Sequence, residues 1–212
     1  MEQTADEITR LQGCINDLIS VLALPAMWSG QESSQIVSTL LDVLVGMLRL
    51  DFAYVRLSEA IDGSPIELIR LAPRRSPATQ PQEVSRALNR WLMGAPPASP
   101  CVVPNPVGAG EVSIIPLRLG LQEDVGVLVA GSQRADFPTE IERLLLRVAV
   151  NQAGIGLREA RFLSEQRRAA EAIRFQAGLL AVVDQAVLAT DTHGVITYWN
   201  RFAEHLYGSR QR

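Results

Sequence analysis

Residues 111–132 read EVSIIPLRLGLQEDVGVLVAGS, and this stretch is typical of a β-hairpin. Two apolar runs, rich in the valine and isoleucine that favour strands, flank Gly120-Leu121-Gln122, where the chain can turn. The sequence therefore predicts two neighbouring antiparallel strands at this point. The segments before and after the hairpin decide which layers cover it.

A second hairpin is predicted upstream. Its first strand lies in DFAYVRLSE, which begins at Asp51, and its second lies in PIELIRLA. The pair Asp62-Gly63 between these runs is a strong turn signal, because its residues tolerate the backbone angles of a tight turn. The two hairpins together predict an antiparallel sheet.

The segment between the hairpins is predicted to contain one short helix. Residues 72–82 contain three prolines and are expected to form a loop. Residues 83–93 have a helical period, with apolar side chains on one side. Residues 94–111 hold too many prolines and glycines for a regular element, apart from an extended piece at 101–103.

Two helices are predicted before the first strand. The first carries a narrow apolar stripe with alternating three-and-four spacing. The stripe consists of Ile8, Leu11, Ile15, Leu18 and Leu22. The stripe is equally consistent with a helix that packs on the core of its own domain and with a helix that pairs with a second copy. Pro25 is expected to end this helix, and the broad apolar face of residues 36–48 predicts a second, core helix.

A long helix is predicted after Asp136, because the helical pattern continues without an internal proline for about 40 residues. Thr139 is expected near its N-terminal cap. The helix is apolar up to Leu157 and strongly charged beyond it. An apolar residue recurs every seven positions, which predicts a coiled-coil seam with a second copy. These residues are Ile141, Val148, Ile155, Phe162 and Ala169.

The composition excludes several kinds of chemistry. The chain contains no lysine, so it has neither a Walker-type phosphate loop nor a Schiff-base enzyme's amine. Its two histidines are His193 and His205, so residues 1–192 lack the usual proton-transfer group and zinc ligand. Cys14 and Cys101 are too few and too far apart in sequence for a metal cluster. We therefore expect no enzyme activity within this chain and no metal site.

Charge and hydropathy limit the partners and the location. A net charge of −3 argues against nucleic-acid binding, which requires a concentrated basic face. No apolar run approaches the roughly 20 residues needed to span a membrane, and the N-terminal MEQTADE lacks the basic start of a signal peptide. The sequence therefore predicts a cytoplasmic protein without membrane contact.

The order of these elements, with an antiparallel sheet in an α/β (α+β) arrangement, resembles the GAF domain. The resemblance covers about residues 25–160. It is carried by DFAYVRL, by the hairpin IIPLRLG…GVLVAG, and by the helix start FPTEIERLLLRVAVNQAGIGL. A GAF domain implies a sensory module in signal transduction.

The stretch VLATDTHGVITYWNRFAEHLYG resembles the start of a PAS domain, a different sensory fold. Its parts are a strand at 187–191, a turn with Gly194, a strand at 195–199 and Asn200 as a helix cap. A PAS domain needs further strands, so we expect a chain cut from a longer multidomain sensor. The predicted divisions are a dimerisation helix (1–24), a GAF domain (25–160), a signalling helix (161–183) and a truncated PAS domain (184–212).

Resemblance to GAF domains also implies a small-molecule site between the sheet and its short helix. The candidate ligand-binding residues are Tyr54, Arg56, Trp91, Cys101 and Ser113. The alternative is that all five are ordinary core or surface residues. The absence of lysine and of a histidine near Cys101 argues against cyclic-nucleotide binding, covalent bilin attachment and haem. The cofactor therefore remains unknown.

The expected function is a sensory GAF module in a two-component protein. A ligand or partner would change the packing of the module, and a dimeric helix would relay that change to the PAS domain of a sensor histidine kinase. The homodimer is expected to form through the N- and C-terminal helices. A ligand-free dimerisation scaffold is one alternative, and a small redox enzyme with the GAF fold is another.

Overall fold

The computed structural model describes residues 2–58, 65–73, 81–93, 99–120, 125–182 and 185–208. It describes the side chains of these residues except those of 2–11, 90–93 and 176–182. The chain divides into two compact units, Met1–Arg161 and Phe162–Arg212. The helices are α1 (Glu2–Trp28), α2 (Ser33–Met47), α3 (Pro81–Met93), α4 (Glu140–Val182) and α5 (Arg201–Tyr207). The strands are β1 (Phe52–Leu57), β2 (Glu67–Leu71), β3 (Cys101–Pro104), β4 (Glu111–Leu119), β5 (Gly126–Ser132), β6 (Leu188–Thr190) and β7 (Ile196–Trp199).

The first unit is built on a five-stranded antiparallel sheet in the order β2-β1-β5-β4-β3. The strand pairing of both predicted hairpins is confirmed, since β1 pairs with β2 and β4 pairs with β5. The predicted turn at Asp62-Gly63, and Leu121-Gln122 of the other predicted turn, lie outside the described residues. Strand β5 also pairs with β1 and therefore lies at the centre of the sheet. The predicted α/β class with an antiparallel sheet is confirmed.

The two faces of the sheet are covered by different layers, because successive strand residues point to opposite sides. Ala53, Val55 and Leu57 of β1 share one hydrophobic cluster with residues of α1, α2 and α4, and we call this side the three-helix face. Phe52 and Tyr54 share a second cluster with residues of α3, and we call this side the α3 face. The sheet thus has a core on each side.

Helix α1 continues through Pro25 to Trp28, so the prediction that Pro25 ends it is wrong. A proline inside a helix costs about 3 kcal/mol. Here Leu24 and Trp28, on either side of Pro25, are buried in the core of the three-helix face, and this packing holds the last turn.

The apolar stripe predicted on α1 divides between core and surface. Leu18 packs against the core of the three-helix face, whereas Ile15 and Leu22 are 55% and 51% exposed. The side chains of Ile8 and Leu11 lie outside the described residues. The packing face is a different row, formed by Val21, Leu24 and Trp28.

Helix α4 runs unbroken from Glu140 to Val182, which confirms the predicted long helix. Thr139 caps it as predicted, because its hydroxyl accepts a hydrogen bond from the Glu142 amide at 3.2 Å. The Glu142 carboxylate accepts one in return from the Thr139 amide at 2.8 Å, which completes a capping box. Six of its side chains are buried on the three-helix face, namely Leu145, Leu146, Ala149, Val150, Ala153 and Leu157.

The second unit contains the hairpin β6–β7 followed by α5. The strands occur within the predicted segments, and Gly194 adopts the expected positive φ of 81°. Asn200 caps α5 as predicted, since its side-chain oxygen accepts from the Ala203 amide at 3.1 Å. The same oxygen accepts from the Val187 amide at 3.0 Å, so one side chain joins the hairpin to the helix.

Two glycines bring α4 and the β4–β5 connection into backbone contact. A Cβ atom on Gly154 of α4 would overlap the backbone of Gly120 at the end of β4. No side chain fits this point without moving the helix away from the sheet. The spacing between α4 and the sheet therefore depends on Gly154.

We predict that Gly154→Ala lowers the free energy of unfolding by about 1–3 kcal/mol, the usual cost of overpacking a core. The measurement is urea denaturation followed by circular dichroism. Gly46→Ala is the matched control, because Gly46 also lies in a helix but an added Cβ meets no atom within 4 Å. The control is expected to be neutral or stabilising by up to about 1 kcal/mol, and equal stabilities of the two variants would contradict the prediction.

Candidate functional site

Four polar side chains on the α3 face lie together near one end of the sheet. Tyr54 and Arg56 of β1 point to this face together, because they are two residues apart. Glu67 of β2 is the pairing partner of Arg56 across the hairpin. Ser85 of α3 reaches the same point from above the sheet, and we call these four residues the Tyr54 cluster.

The Glu67 carboxylate is the centre of the Tyr54 cluster. Its Oε1 atom accepts a hydrogen bond from the Ser85 hydroxyl at 2.8 Å, and the same atom lies 3.6 Å from Arg56 Nε. The side chains of Arg56 and Glu67 are only 24% and 14% exposed to solvent. Because the two opposite charges are largely shielded from water, each stabilises the other and removal of one would leave a costly charge.

Tyr54 is the most deeply buried member of the cluster. Its side chain has no exposed surface, and among the described residues no atom forms a hydrogen bond of good geometry with its phenol oxygen. Burial raises the pKa of Tyr54 to about 12, the nearby Ser85 hydroxyl opposes this rise, and the Glu67 charge adds to it. Tyr54 therefore remains a neutral hydrogen-bond donor throughout the physiological range.

The apolar part of the α3 face is closely packed. Phe52, Tyr54, Val84, Ile114 and Val129 have no accessible surface at all. A side chain that bordered a cavity large enough for one water molecule would keep some accessible surface. A ligand could therefore reach these five side chains only if the residues that cover them moved.

The structure brings together three of the five predicted site residues. Tyr54 and Arg56 share the α3 face, and half-buried Cys101 packs against the same apolar cluster. Trp91 belongs to α3, but its side chain lies outside the described residues. Cys14 and Cys101 are both thiols and not disulfide partners.

Ser113 points to the side of the sheet opposite the α3 face, so the prediction that it lies beside Tyr54 and Arg56 is wrong. Its neighbours Val112 and Ile114 are both buried, and both belong to the cluster of the α3 face. Because successive residues of a strand point to opposite sides of the sheet, the Ser113 hydroxyl faces the α4 side. It donates to the Phe137 carbonyl oxygen at 3.2 Å.

Glu67 and Ser85 are members of the Tyr54 cluster that were not predicted from the sequence. Glu67 carries a detectable signal, because pairing of the two predicted strands places it opposite the oppositely charged Arg56. Ser85 carries no such signal, since its contact with Glu67 depends on how α3 lies on the sheet.

The described part of the chain contains neither a membrane-spanning helix nor a cluster of metal-binding side chains. None of its helices is long and apolar enough to cross a membrane. Within the same described residues, no group of three or more histidine, cysteine, aspartate or glutamate side chains could hold a metal ion.

No protein-family model matches the chain, and no curated protein matches it either. Among solved structures, the chain is similar to the GAF domain of a putative sensor histidine kinase from Pseudomonas syringae pv. tomato. The identity is 16%, the match covers 79% of this chain and 97% of that chain, and the TM-score is 0.44.

Two further solved structures similar to the chain are also GAF domains. One comes from an Acinetobacter phosphoenolpyruvate-protein phosphotransferase, with 14% identity over 72% of this chain and 95% of that chain and a TM-score of 0.43. The other is a Synechocystis GAF domain in its photoproduct state, with 15% identity over 63% of this chain and 98% of that chain and a TM-score of 0.40.

We predict that the stability of the protein falls between pH 10 and about 12 because of Tyr54. In this range the unfolded chain loses the Tyr54 proton while the folded protein, with its raised pKa, keeps it. Below pH 10 the residue is protonated in both states and contributes no pH dependence. Urea denaturation of the wild type and of Tyr54→Phe from pH 8 to 11.5 measures the effect.

The wild type is expected to lose stability relative to Tyr54→Phe only above pH 10. The same two proteins, titrated by absorbance near 295 nm, should differ by one phenol that ionises near pH 12. If the difference in stability between the wild type and Tyr54→Phe stays constant up to pH 11.5, burial does not raise the pKa of Tyr54 and the prediction is wrong.

Proposed function

We propose that residues 25–160 form a GAF domain that acts as a sensory or regulatory module in a signal-transduction protein. The observation that carries this proposal is the pair of separate layers on one sheet. α3 covers one face with the Tyr54 cluster beneath it, while α1, α2 and α4 cover the other. Helix α4 follows β5, the central strand, so the helix that leaves the domain starts from the middle of the sheet.

The sequence segments that resemble GAF domains support the same proposal. DFAYVRL contains β1, the segments IIPLRLG and GVLVAG overlap β4 and β5, and FPTEIERLLLRVAVNQAGIGL leads into α4. Under this proposal the chain regulates and does not catalyse. The catalytic output, a histidine kinase of a cytoplasmic two-component protein, would belong to another domain.

We also propose that two copies of the chain pair through α1 and α4. On α4, Leu144 and Ile155 are each 53% exposed and lie about three turns apart, on the side that faces away from the sheet. Phe162, one heptad after Ile155, is 59% exposed. On α1, Ile15, Ile19 and Leu22 are 51–58% exposed at helical spacing. Such apolar stripes are suited to pairing between helices.

A ligand-free dimerisation scaffold is a second candidate, and the close packing of the α3 face favours it. In this role the domain would only hold the paired helices at a fixed spacing. A sensory role with a small-molecule ligand instead requires α3 to move, with the Ser85–Glu67 hydrogen bond among the contacts to be broken. The ligand would meet Tyr54 and Arg56, with Cys101 at the edge.

Residues 184–212 are proposed to be the first elements of a PAS domain, joined to the GAF domain by a signalling helix at 161–183. The described part supports this with its hairpin, its capped helix and the left-handed Gly208 that ends α5. The Asp191 side chain also accepts from the amides of His193 and Val195, which fixes the turn between β6 and β7. Such local bonds form a framework to which further strands could add.

We predict that Ile155→Glu converts a dimer into a monomer, because a charged side chain cannot be buried between paired helices without a partner. Native mass spectrometry of protein purified from cells is the measurement, since it reports both the dimer mass and any retained small molecule. The control Asn89→Glu adds the same charge at an exposed position of α3 and is expected to leave the dimer intact.

The wild-type spectrum separates the two candidate functions. A dimer with a retained small molecule supports the sensory role, and a dimer without one supports the scaffold. A wild type that is monomeric at micromolar concentration would overturn the proposed pairing through α1 and α4.

We predict that Asn200→Ala disrupts the second unit locally. The side chain of Asn200 accepts from the amides of Val187 and Ala203 and donates to the Gln185 carbonyl oxygen at 2.9 Å. Loss of a helix cap alone costs about 1 kcal/mol, so hydrogen exchange at Val187 and Ala203 should accelerate at least about fivefold.

The exchange of amides in residues 33–157 should not change in Asn200→Ala. Asn151→Ala, at an exposed position of α4, is the matched control and should leave Val187 and Ala203 unaffected. Equal exchange at these two amides in the wild type and in Asn200→Ala would show that Asn200 does not organise the unit.

A further inference from the structure

The Ser113 hydroxyl links strand β4, whose neighbouring residues pack on the α3 face, to the segment that precedes α4. Val112 and Ile114, its neighbours in β4, are 1% and 0% exposed and pack in the same cluster as Leu88 of α3. Ser113 itself points through to the other side of the sheet and donates to the Phe137 carbonyl oxygen at 3.2 Å. A shift of β4 caused by repacking under α3 therefore moves a group that is bonded to the start of α4.

Phe137 lies two residues before the cap of α4 and is itself anchored. Its ring is 5% exposed and belongs to the core of the three-helix face. Thr139 follows, and its carbonyl oxygen accepts the first backbone hydrogen bond of the helix, from Arg143 at 2.9 Å. A displacement of Phe137 is thus passed to the first turn of α4 over a very short length of chain.

The rest of the connection between β5 and α4 is held by hydrogen bonds and an ion pair at several points. The Gln133 amide donates to Asp51 Oδ2 at 2.6 Å, and the Arg134 amide donates to Ser132 Oγ at 3.3 Å. The Arg134 guanidinium forms an ion pair with Glu142, inside the first turn of α4. A stiff connection transmits a displacement, whereas a slack one would absorb it.

We propose that Ser113 is a positioning residue that couples the packing of the α3 face to the first turn of α4. The proposal rests on the regulatory function proposed above, since it gives the route by which a change under α3 would reach the exit helix. The coupling is reciprocal: a change in α4 that shifts Phe137 also changes how α3 packs on the sheet.

The experiment combines a change under α3 with changes at Ser113. Leu88→Ala removes a buried side chain of α3 and leaves space that β4 and α3 can relax into. It is made in three backgrounds: Ser113, Ser113→Ala, which lacks the hydroxyl, and Ser113→Thr, which keeps it. Hydrogen exchange of the Glu142 and Arg143 amides, followed by NMR, reports the first turn of α4.

In the Ser113 and Ser113→Thr backgrounds, Leu88→Ala is expected to change these two exchange rates about threefold, the scale of one neutral hydrogen bond. In Ser113→Ala the same substitution should have little effect on them. Ser20→Ala is the matched control background, because the Ser20 hydroxyl also donates to a backbone carbonyl, at 2.9 Å, but within α1. It should behave like the wild type.

Equal effects of Leu88→Ala in the Ser113 and Ser113→Ala backgrounds would overturn the proposal. So would a rate change that is uniform over all amides, which would report global destabilisation. If Leu88→Ala does not fold, Val84→Ala, at another fully buried position of α3, replaces it. The exchange rates of Glu142 and Arg143 test the coupling alone. A monomeric, ligand-free protein in the native mass spectrum would instead contradict the proposed function, so the two failures can be told apart.

Discussion

The structure depends on burial of the central strand β5 on both of its faces. All seven of its residues are buried, and it is hydrogen-bonded to β1 on one side and to β4 on the other. A strand of this kind has neither a polar face nor an open edge, so it is stable only if a layer covers each side of the sheet. Its small residues make room for those layers: a Cβ on Gly131 would overlap the ring of Phe52 on the α3 face.

The two covering layers differ in ways that matter for function. The three-helix face is apolar and continuous, and the close contact of Gly154 with Gly120 fixes the distance of α4 from the sheet. The α3 face is smaller and contains the charge pair of Arg56 and Glu67. One helix held by a small apolar cluster and a few polar contacts is easier to displace than three helices that share a large core. Under the proposed sensory role, a response to a ligand or partner would begin at α3.

The sequence indicated the fold better than the site, and particular residues show why. The period of two in DFAYVRL and the continuous helical pattern after Asp136 are local signals, so β1 and α4 were predictable. The run IIPL in β4 is apolar on both faces, so its pattern did not show which way Ser113 points. The large local cost of a proline inside a helix predicts a helix end at Pro25, but burial of Leu24 and Trp28 outweighs that cost. The contact between Glu67 and Ser85 depends on tertiary packing, which no local pattern encodes.

Helix α4 carries two apolar faces, and this limits how it can respond. One face is fixed on the sheet up to Leu157, while Leu144 and Ile155 on the other face remain exposed. Because both faces belong to the same stretch of helix, a rotation that improved the proposed pairing at Ile155 would disturb the burial of Ala153 and Leu157. The close approach at Gly154 further restricts sliding of α4 over Gly120. A small tilt of α4 about this contact would disturb less packing than rotation or sliding, and the hydrogen bond from Ser113 to Phe137 holds the chain just before the first turn of α4.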